Sequence, residues 1–506
     1  MDNYFKKDVP PTREERMEIS DAFHGCSCDL VDCSKCGCLR GKDRKFWQSS
    51  SACQMTLSTI MSSSVENSVI IMHGPVGCGT NLHVLTAAVN GGRAARGLDA
   101  KPFNWLSTNL SETEIVNGGE KKLRETIEYA DRTFRPDIIF VLSTCAPSII
   151  GDDVDRIIRE EGKIISAELT VIHCPGFRSR VVSSAYDAFY HSLFKHVRFE
   201  PIPYKDYLPV NIADPFSEAA AEMYEYKKSH TVNLLSLESA GAPDEQEITR
   251  LLNLLDLNVN VVAEYANVDQ IRYISEVGLN VSLCEMHDDY ILRYLKDTYN
   301  IPAYTKMPLG IEATKQWLIG IGKFYGLEER AKRLAEYEEK VLLEALEPLK
   351  EKIKGKRILV TGGSVRSANE AYLLKELGME IIGVVGVLYD ANADPVFETL
   401  SGEMPNLPII VSDQPYEYAN QIKKLNPDIV LVHAGSNAGP SKLGYITIPE
   451  FDTGGSYFGF RGVYEVARKI AFALESNKFV KNVAKHVKLP YKKEWYDKDP
   501  FTYHKE

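Results

Sequence analysis

Short apolar runs that end in glycine-rich loops and lead into helical patterns recur along the chain. SVIIMHGPVGCG (68–79) reads as a strand entering a tight loop. DIIFVLSTCAPSIIGDDVDRIIREEG (137–162) reads as strand, loop and helix, and KIISAELTVIHCPGF (163–177) as a further strand ending in a loop. The pattern restarts in 231–266 and 278–310, and again in 354–386 and 426–435 (NPDIVLVHAG). Continuous apolar runs alternating with amphipathic helices predict parallel α/β layers. A long charged helix, roughly 326–352, separates the second set from the third. The predicted organisation is therefore an α/β unit over 46–230, a second over 231–345 that includes the connector helix, and a third over 346–475. Residues 1–45 are polar, Cys-rich and without periodicity, and are expected to be poorly ordered unless something ties them down. Residues 476–506 form a lysine-rich tail, expected to be a solvated surface segment. In open sheets of this kind ligands sit at the carboxyl ends of strands. Cys78, Cys145, Cys174 and Cys284 each follow an apolar strand.

Composition narrows the function classes. The 506 residues suggest about three domains. Lys and Arg total 59 against 70 Asp and Glu, a net charge of −11, which argues against nucleic acid or an anionic membrane as the main partner. No run of 18 apolar residues occurs, so no membrane span is expected, and the Met1 end has no apolar segment of the kind a secretion signal carries. A cytoplasmic location is expected. Stable disulfides are rare there, so ten cysteines point to chemistry or metal.

A lone cysteine at a strand end is most often a small buried hydrophobe. Three positions depart from that. Cys78 sits among Gly74, Pro75, Gly77 and Gly79, which leave room beside the sulfur. Cys145 lies in a strand-to-helix loop, and Cys53 at a helix start, where backbone N–H groups favour a thiolate. Long-range cysteines on glycine-rich loops suit an iron–sulfur cluster, whereas zinc prefers compact CxxC pairs. Cys174, in HCPGF, reads as core. Cys26, Cys28, Cys33, Cys36 and Cys38 form CxCx4CxxCxC beside His24. Four of those thiolates suit zinc or an extra [4Fe–4S] cluster; the other reading is a tail of free thiols. The turns TGGS (361–364) and SAGAPDEQ (239–246) match no nucleotide-binding motif, so ATP use is assigned to a partner. Asp152 and Asp153 read as helix-capping residues.

Six segments carry a family resemblance: HGPVGCG (73–79), STNLSETEIVNGGEKKL (107–123), STCAPSIIGDD (143–153), PGFRS (175–179), VSLCEMHDDYILRYLKDTYNIP (281–302) and GGSYFGFRG (454–462). Together they resemble the α-type subunit of nitrogenase component 1 and its nitrogenase-like relatives, from about Ser49 to Leu474. The resemblance implies an α/β fold of three Rossmann-like parallel-sheet domains. It implies an interfacial iron–sulfur cluster, P-cluster-like or [4Fe–4S], with Cys53, Cys78 and Cys145 as this chain's ligands. It implies a homologous β-like subunit in an α2β2 heterotetramer, and an ATP-dependent iron protein that delivers electrons. Inside the chain it implies a large iron–sulfur cofactor anchored at Cys284, with Gly362, Gly363 and Arg366 beside it.

The sequence also departs from nitrogenase. The histidine that holds the other end of that cofactor maps onto Pro449, which cannot ligate, and no histidine lies between His433 and His486. The glutamine and histidine over the nitrogenase substrate face map onto Val182 and Tyr186. The expected function is therefore a nitrogenase-like reductase acting on a small molecule, with methylthio-alkane reductases, which cleave C–S bonds, as the nearest type. Tyr186, Arg178 and His287 are its candidates for proton supply or substrate placement. A cofactor-assembly scaffold fits the ligand pattern too, as does a divergent nitrogenase in which another residue such as His433 supplies the second ligand.

Overall fold

The structure, a computed structural model, describes residues 3–39, 53–79, 85–212, 214–236, 241–433, 438–450, 455–475 and 477–497. Three sheets organise it. The first runs Trp105–Ser107, Ser68–His73, Ile138–Ser143, Glu168–His173, all parallel. Its two central strands, Ser68–His73 and Ile138–Ser143, are buried on both faces. Ile70, Met72, Phe140 and Leu142 pack on one side, and Val69, Ile71, Ile139 and Val141 on the other, where they meet the helices Glu120–Phe134 and Val154–Glu161. That double burial explains why these strands read as continuous apolar runs. The second sheet runs Ala303–Tyr304, Leu279–Ser282, Thr231–Leu235, Asn258–Val261, again parallel.

The third sheet has six strands in the order Ile446–Pro449, Ile429–Val432, Arg357–Gly362, Glu380–Gly386, Pro408–Ser412, Ala22–Cys26. The first five are parallel, and the last, from the N-terminal segment, pairs antiparallel with Pro408–Ser412. The second and third sheets share one apolar core, joined by the helices Ile311–Phe324, Glu328–Ile353 and Gly459–Glu475. Among the described residues no helix is long and apolar enough to cross a membrane.

The N-terminal segment is tied down, and its anchors are charged. Arg13 is fully buried. Its Nε donates to Asp390 Oδ2 at 2.8 Å, and its Nη1 lies 3.2 Å from Asp289 and 3.6 Å from Asp187. Arg16 bonds Asp187 and Asp289 as well. Ile19–Ser20 pairs with Tyr389–Asp390, and Ala22–Cys26 covers the sheet edge that Pro408–Ser412 would otherwise expose. The C-terminal segment is also less solvated than expected: Tyr496 is buried, and Asn420 donates to the carbonyls of Trp495 and Tyr496.

Candidate functional site

Two groups of chemistry-bearing residues lie at the carboxyl ends of the strands. The first is at the surface. Cys78 sits in a 3-10 turn (Val76–Gly79) directly after the strand Ser68–His73. Cys145 opens the helix Cys145–Ile150 after Ile138–Ser143, and Cys53 caps the helix Gln54–Ser64. Cys53 and Cys78 are exposed and Cys145 half-buried. The loop Pro175–Phe177 brings them together. Gly176 N–H donates to Cys145 Sγ at 3.1 Å. A Cβ on Gly176 would lie 3.0 Å from Cys53 Cβ, 3.4 Å from Cys53 Sγ and 3.8 Å from Cys145 Sγ, so this wedge between two sulfurs admits only hydrogen. Gln54 Nε2 donates to the Pro175 carbonyl at 2.6 Å and pins the loop to the Cys53 helix.

Electrostatics ties Cys78 to the same group. Its thiol is pushed up by burial and by the neighbouring Cys145 and Cys53. Cys174 is fully buried behind them, its thiol raised well above the ordinary value by burial first and by Cys53 next. Crowded thiols that resist ionisation unaided become thiolates when a metal centre supplies the positive charge. The three sulfurs are not packed tightly enough for a single ion among the described residues. A multi-iron cluster spaces its thiolates further apart, so the donor set fits an iron–sulfur cluster. On the elements that carry these cysteines, and on the Pro175–Phe177 loop, Val76, Ile149 and Phe177 are exposed, and Val116 is exposed on the helix Glu112–Asn117, which packs against Cys145–Ile150. Asp153 caps the helix Val154–Glu161 as expected, but Asp152 accepts from Gly119 N and faces His73 Nε2 at 3.2 Å.

The second group is internal. Cys284 is buried and caps the helix Glu285–Tyr299 at the end of Leu279–Ser282. Beneath it Asp288 accepts from Ser282 Oγ at 2.6 Å, from Tyr190 Oη at 3.0 Å and from Ser236 Oγ. One turn along, His287 stacks on Tyr186 with ring centroids 4.2 Å apart. Facing this side is a charged wall from the third sheet. Arg366 is buried, with Nε 3.3 Å from Glu370 Oε1, Nη2 donating to the Glu450 carbonyl at 3.0 Å, and its guanidinium over Tyr457 and Phe458. His433 Nδ1 bonds Glu450 Oε1. The Glu450 side chain is 1% exposed, and its Oε2 has no hydrogen-bond partner among the described residues. A Cβ at Gly362 would collide with that oxygen, which is why glycine stands there; Gly363 caps the following helix.

Burial lowers the His433 pKa, but the Glu450 charge outweighs it and the net direction is upward. His287 is among the charges that His433 feels, so the two groups lie within electrostatic reach of one another. Glu370 is held well above the usual carboxylate range by burial and by Glu450. The buried sulfur of Cys284 and the orphaned Glu450 oxygen are donors that fit a metal-containing group.

Two expectations change. Arg178 does not face this pocket: its Nη2 pairs with Glu15 Oε2 at 3.6 Å, toward the N-terminal segment. The five N-terminal cysteines do not converge on one metal. Cys26 and Cys36 cap opposite ends of the nine-residue helix Ser27–Lys35, roughly 15 Å apart at 1.5 Å per residue. Cys26 is disulfide-bonded to Cys28 and Cys36 to Cys38, leaving Cys33 free. Cys26, Cys28 and Asp29 place their ligand atoms within 4.8 Å of one another at the start of that helix. Glu450 went unnoticed in the sequence because attention fell on Pro449; an acidic residue ending the apolar run YITIP was the available signal. Gly454 and the start of SAGAPDEQ lie outside the described residues.

A surface cavity of about 720 Å3 lies elsewhere. It is lined by Asp131, Arg135, Asp137 and Arg272, at the amino ends of the first sheet's strands and away from every cysteine.

Comparison with known proteins agrees with this geometry. Residues 53–475 match the family model of nitrogenase component 1 type oxidoreductases. The nitrogenase molybdenum-iron protein alpha chain of Methanothermobacter marburgensis is 27% identical over 437 residues, covering 82% of this chain and 85% of that protein. The nitrogenase iron-molybdenum cofactor biosynthesis protein NifE of Rippkaea orientalis is 24% identical over 423 residues, 81% of this chain and 82% of that one. Among solved structures, nitrogenase Cp1 superposes with a TM-score of 0.67 at 20% identity, covering 93% of this chain and 91% of that chain.

Proposed function

The chain belongs to the nitrogenase component 1 type oxidoreductase family, and from that premise we propose that it is the α-type catalytic subunit of an iron–sulfur reductase that cleaves C–S bonds in small thioethers. The observation that carries the reading is the division of cysteines into two sites. Cys53, Cys78 and Cys145 meet at an apolar-rimmed surface, while Cys284 is buried opposite Arg366, His433 and Glu450. Iron–sulfur groups at the two sites supply one-electron transfer at the surface and reducing power inside.

The chain's own residues do the rest. Cys53, Cys78 and Cys145 hold the surface cluster, and the Gly176 N–H on Cys145 Sγ stabilises its negative sulfur. The rim of Val76, Val116, Ile149 and Phe177 is the face that a homologous β-like subunit covers, completing the cluster in an α2β2 assembly, with an ATP-dependent iron protein docking over the same region. Cys284 anchors the inner group. The Tyr186–His287 stack positions a hydroxyl and an imidazole beside it, and the His287 ring nitrogens hold and pass protons to substrate. Val182 and Tyr186 stand where the resemblance expects the glutamine and histidine of the nitrogenase substrate face, which supports a different substrate.

A second reading is a cofactor-assembly scaffold, favoured by the likeness to NifE at comparable identity and coverage. Anaerobic purification with the β-like partner separates the two. Turnover of a methylthio-alkane to methanethiol and hydrocarbon, dependent on iron protein and ATP, supports the reductase. Release of the inner group to an acceptor protein with no thioether consumed refutes it.

A further inference from the structure

The wall opposite Cys284 contains a histidine with the environment of a metal ligand. His433 follows the strand Ile429–Val432, and its backbone N–H donates to Thr361 Oγ1 at 3.0 Å. Glu450 follows the neighbouring strand Ile446–Pro449, and its N–H donates to the Val432 carbonyl at 2.8 Å. Two adjacent strand ends thus hold the imidazole and carboxylate in fixed register. The carboxylate bonds Nδ1, which sets the tautomer so that the lone pair resides on Nε2. A histidine that binds metal through one nitrogen almost always gives its other N–H to such a carboxylate or carbonyl.

Three further observations point the same way. Nε2 has no partner among the described residues. The His433 side chain is 38% exposed, which leaves its ring edge open to a ligand. Glu450 Oε2, nine-tenths buried and more, lacks a donor among the described residues and lies against the bare backbone of Gly362. A purely structural ion pair would satisfy both oxygens. Arg366 Nη2 donates to the Glu450 carbonyl at 3.0 Å, and its charge neighbours the carboxylate.

We propose that His433 Nε2 ligates the metal-containing group carried at Cys284, with Glu450 as the positioning residue that orients the imidazole. The proposal rests on the reading that Cys284 anchors such a group. It places the second anchor on a strand adjacent to the one where Pro449 stands, so that loss of a ligand at Pro449 does not mean loss of a second ligand.

The test uses the anaerobically purified complex with its partner subunit. Iron per chain, iron K-edge X-ray absorption and electron paramagnetic resonance are compared for wild type, His433→Ala, Glu450→Gln and Cys284→Ala. The expected result for His433→Ala is loss of a nitrogen scatterer and a changed inner-group signal, with the surface cluster signal intact. Added imidazole should restore it in His433→Gly. Glu450→Gln should weaken retention of inner iron by about 10- to 100-fold. Unchanged scattering, signal and retention in His433→Ala overturns the proposal when Cys284→Ala has removed the inner iron. Inner iron unaffected by Cys284→Ala overturns the underlying reading. If His433→Ala does not fold, His433→Gln, which keeps a polar side chain beside Glu450, decides on the same readouts.

Discussion

Replacing Arg13 by methionine should release the N-terminal segment. Arg13 and Arg16 face Asp187, Asp289 and Asp390, two positive charges against three negative. Arg13, Asp187 and Asp390 have side chains at 0% exposure. The cluster is already one positive charge short. Burial, and the charge of Asp289, hold the Asp187 carboxyl above its ordinary range. Methionine fills much of the volume but leaves three buried carboxylates with only Arg16. Removing one partner of a buried pair costs about 3–5 kcal/mol, because the remaining charge stays buried. If that falls on local opening of the segment, hydrogen exchange at Ala22–Cys26 should accelerate by roughly two to three and a half orders of magnitude.

The pH dependence has a definite sign. Without Arg13 the Asp187 carboxyl is raised further in the folded state, which then binds more protons than the unfolded state. Stability therefore falls as pH rises through that window, and the deficit should be larger at pH 8 than at pH 5. Hydrogen exchange by mass spectrometry at both pH values reads it. An exchange rate at Ala22–Cys26 within threefold of wild type at pH 8 would refute the reasoning, since it would mean that the arginine holds nothing in place.

Three other outcomes follow from the geometry. Gly176→Ala puts a methyl group 3.0 Å from Cys53 Cβ. Overpacking of about 1–3 kcal/mol there should lower surface-cluster iron severalfold while leaving inner iron unchanged, read by iron analysis and paramagnetic resonance. His191, bonded to Tyr290 Oη and the Lys7 carbonyl, is pushed down to about 3 by burial. The unfolded chain binds its proton first, so stability should fall as pH drops below about 6.5, by about 2 kcal/mol at pH 5; urea titrations of wild type and His191→Asn check it, and parallel pH profiles would contradict it. Truncation before residue 40 should strip the cover from the Pro408–Ser412 edge and promote self-association, visible by light scattering.

The strand ends that carry Cys78, Cys145 and Cys284 were legible in the sequence, because parallel strands buried on both faces leave unbroken apolar runs with a loop at a readable end. Cys174 was legible as core for the same reason. The N-terminal segment was not. Its strands are two and five residues long, and they exist because other strands offer an edge, which no local periodicity encodes. Arg13 looks like any residue in PPTREERM; only the fold reveals three aspartates from distant positions around it. Arg178 misled because the resemblance at PGFRS placed it near the substrate face, while Glu15, from the unreadable segment, draws it away. The N-terminal cysteines misled through spacing alone, since a nine-residue helix between Cys26 and Cys36 separates what the sequence crowds.

The central claim is that the chain holds two separate iron–sulfur sites, one at Cys53, Cys78 and Cys145 and one at Cys284. Iron per chain and low-temperature paramagnetic resonance of the anaerobically purified complex, wild type beside Cys284→Ala, test it most directly. The account predicts that Cys284→Ala loses the inner iron and its signal while the surface-cluster signal persists. Loss of both signals together, or of neither, would contradict it.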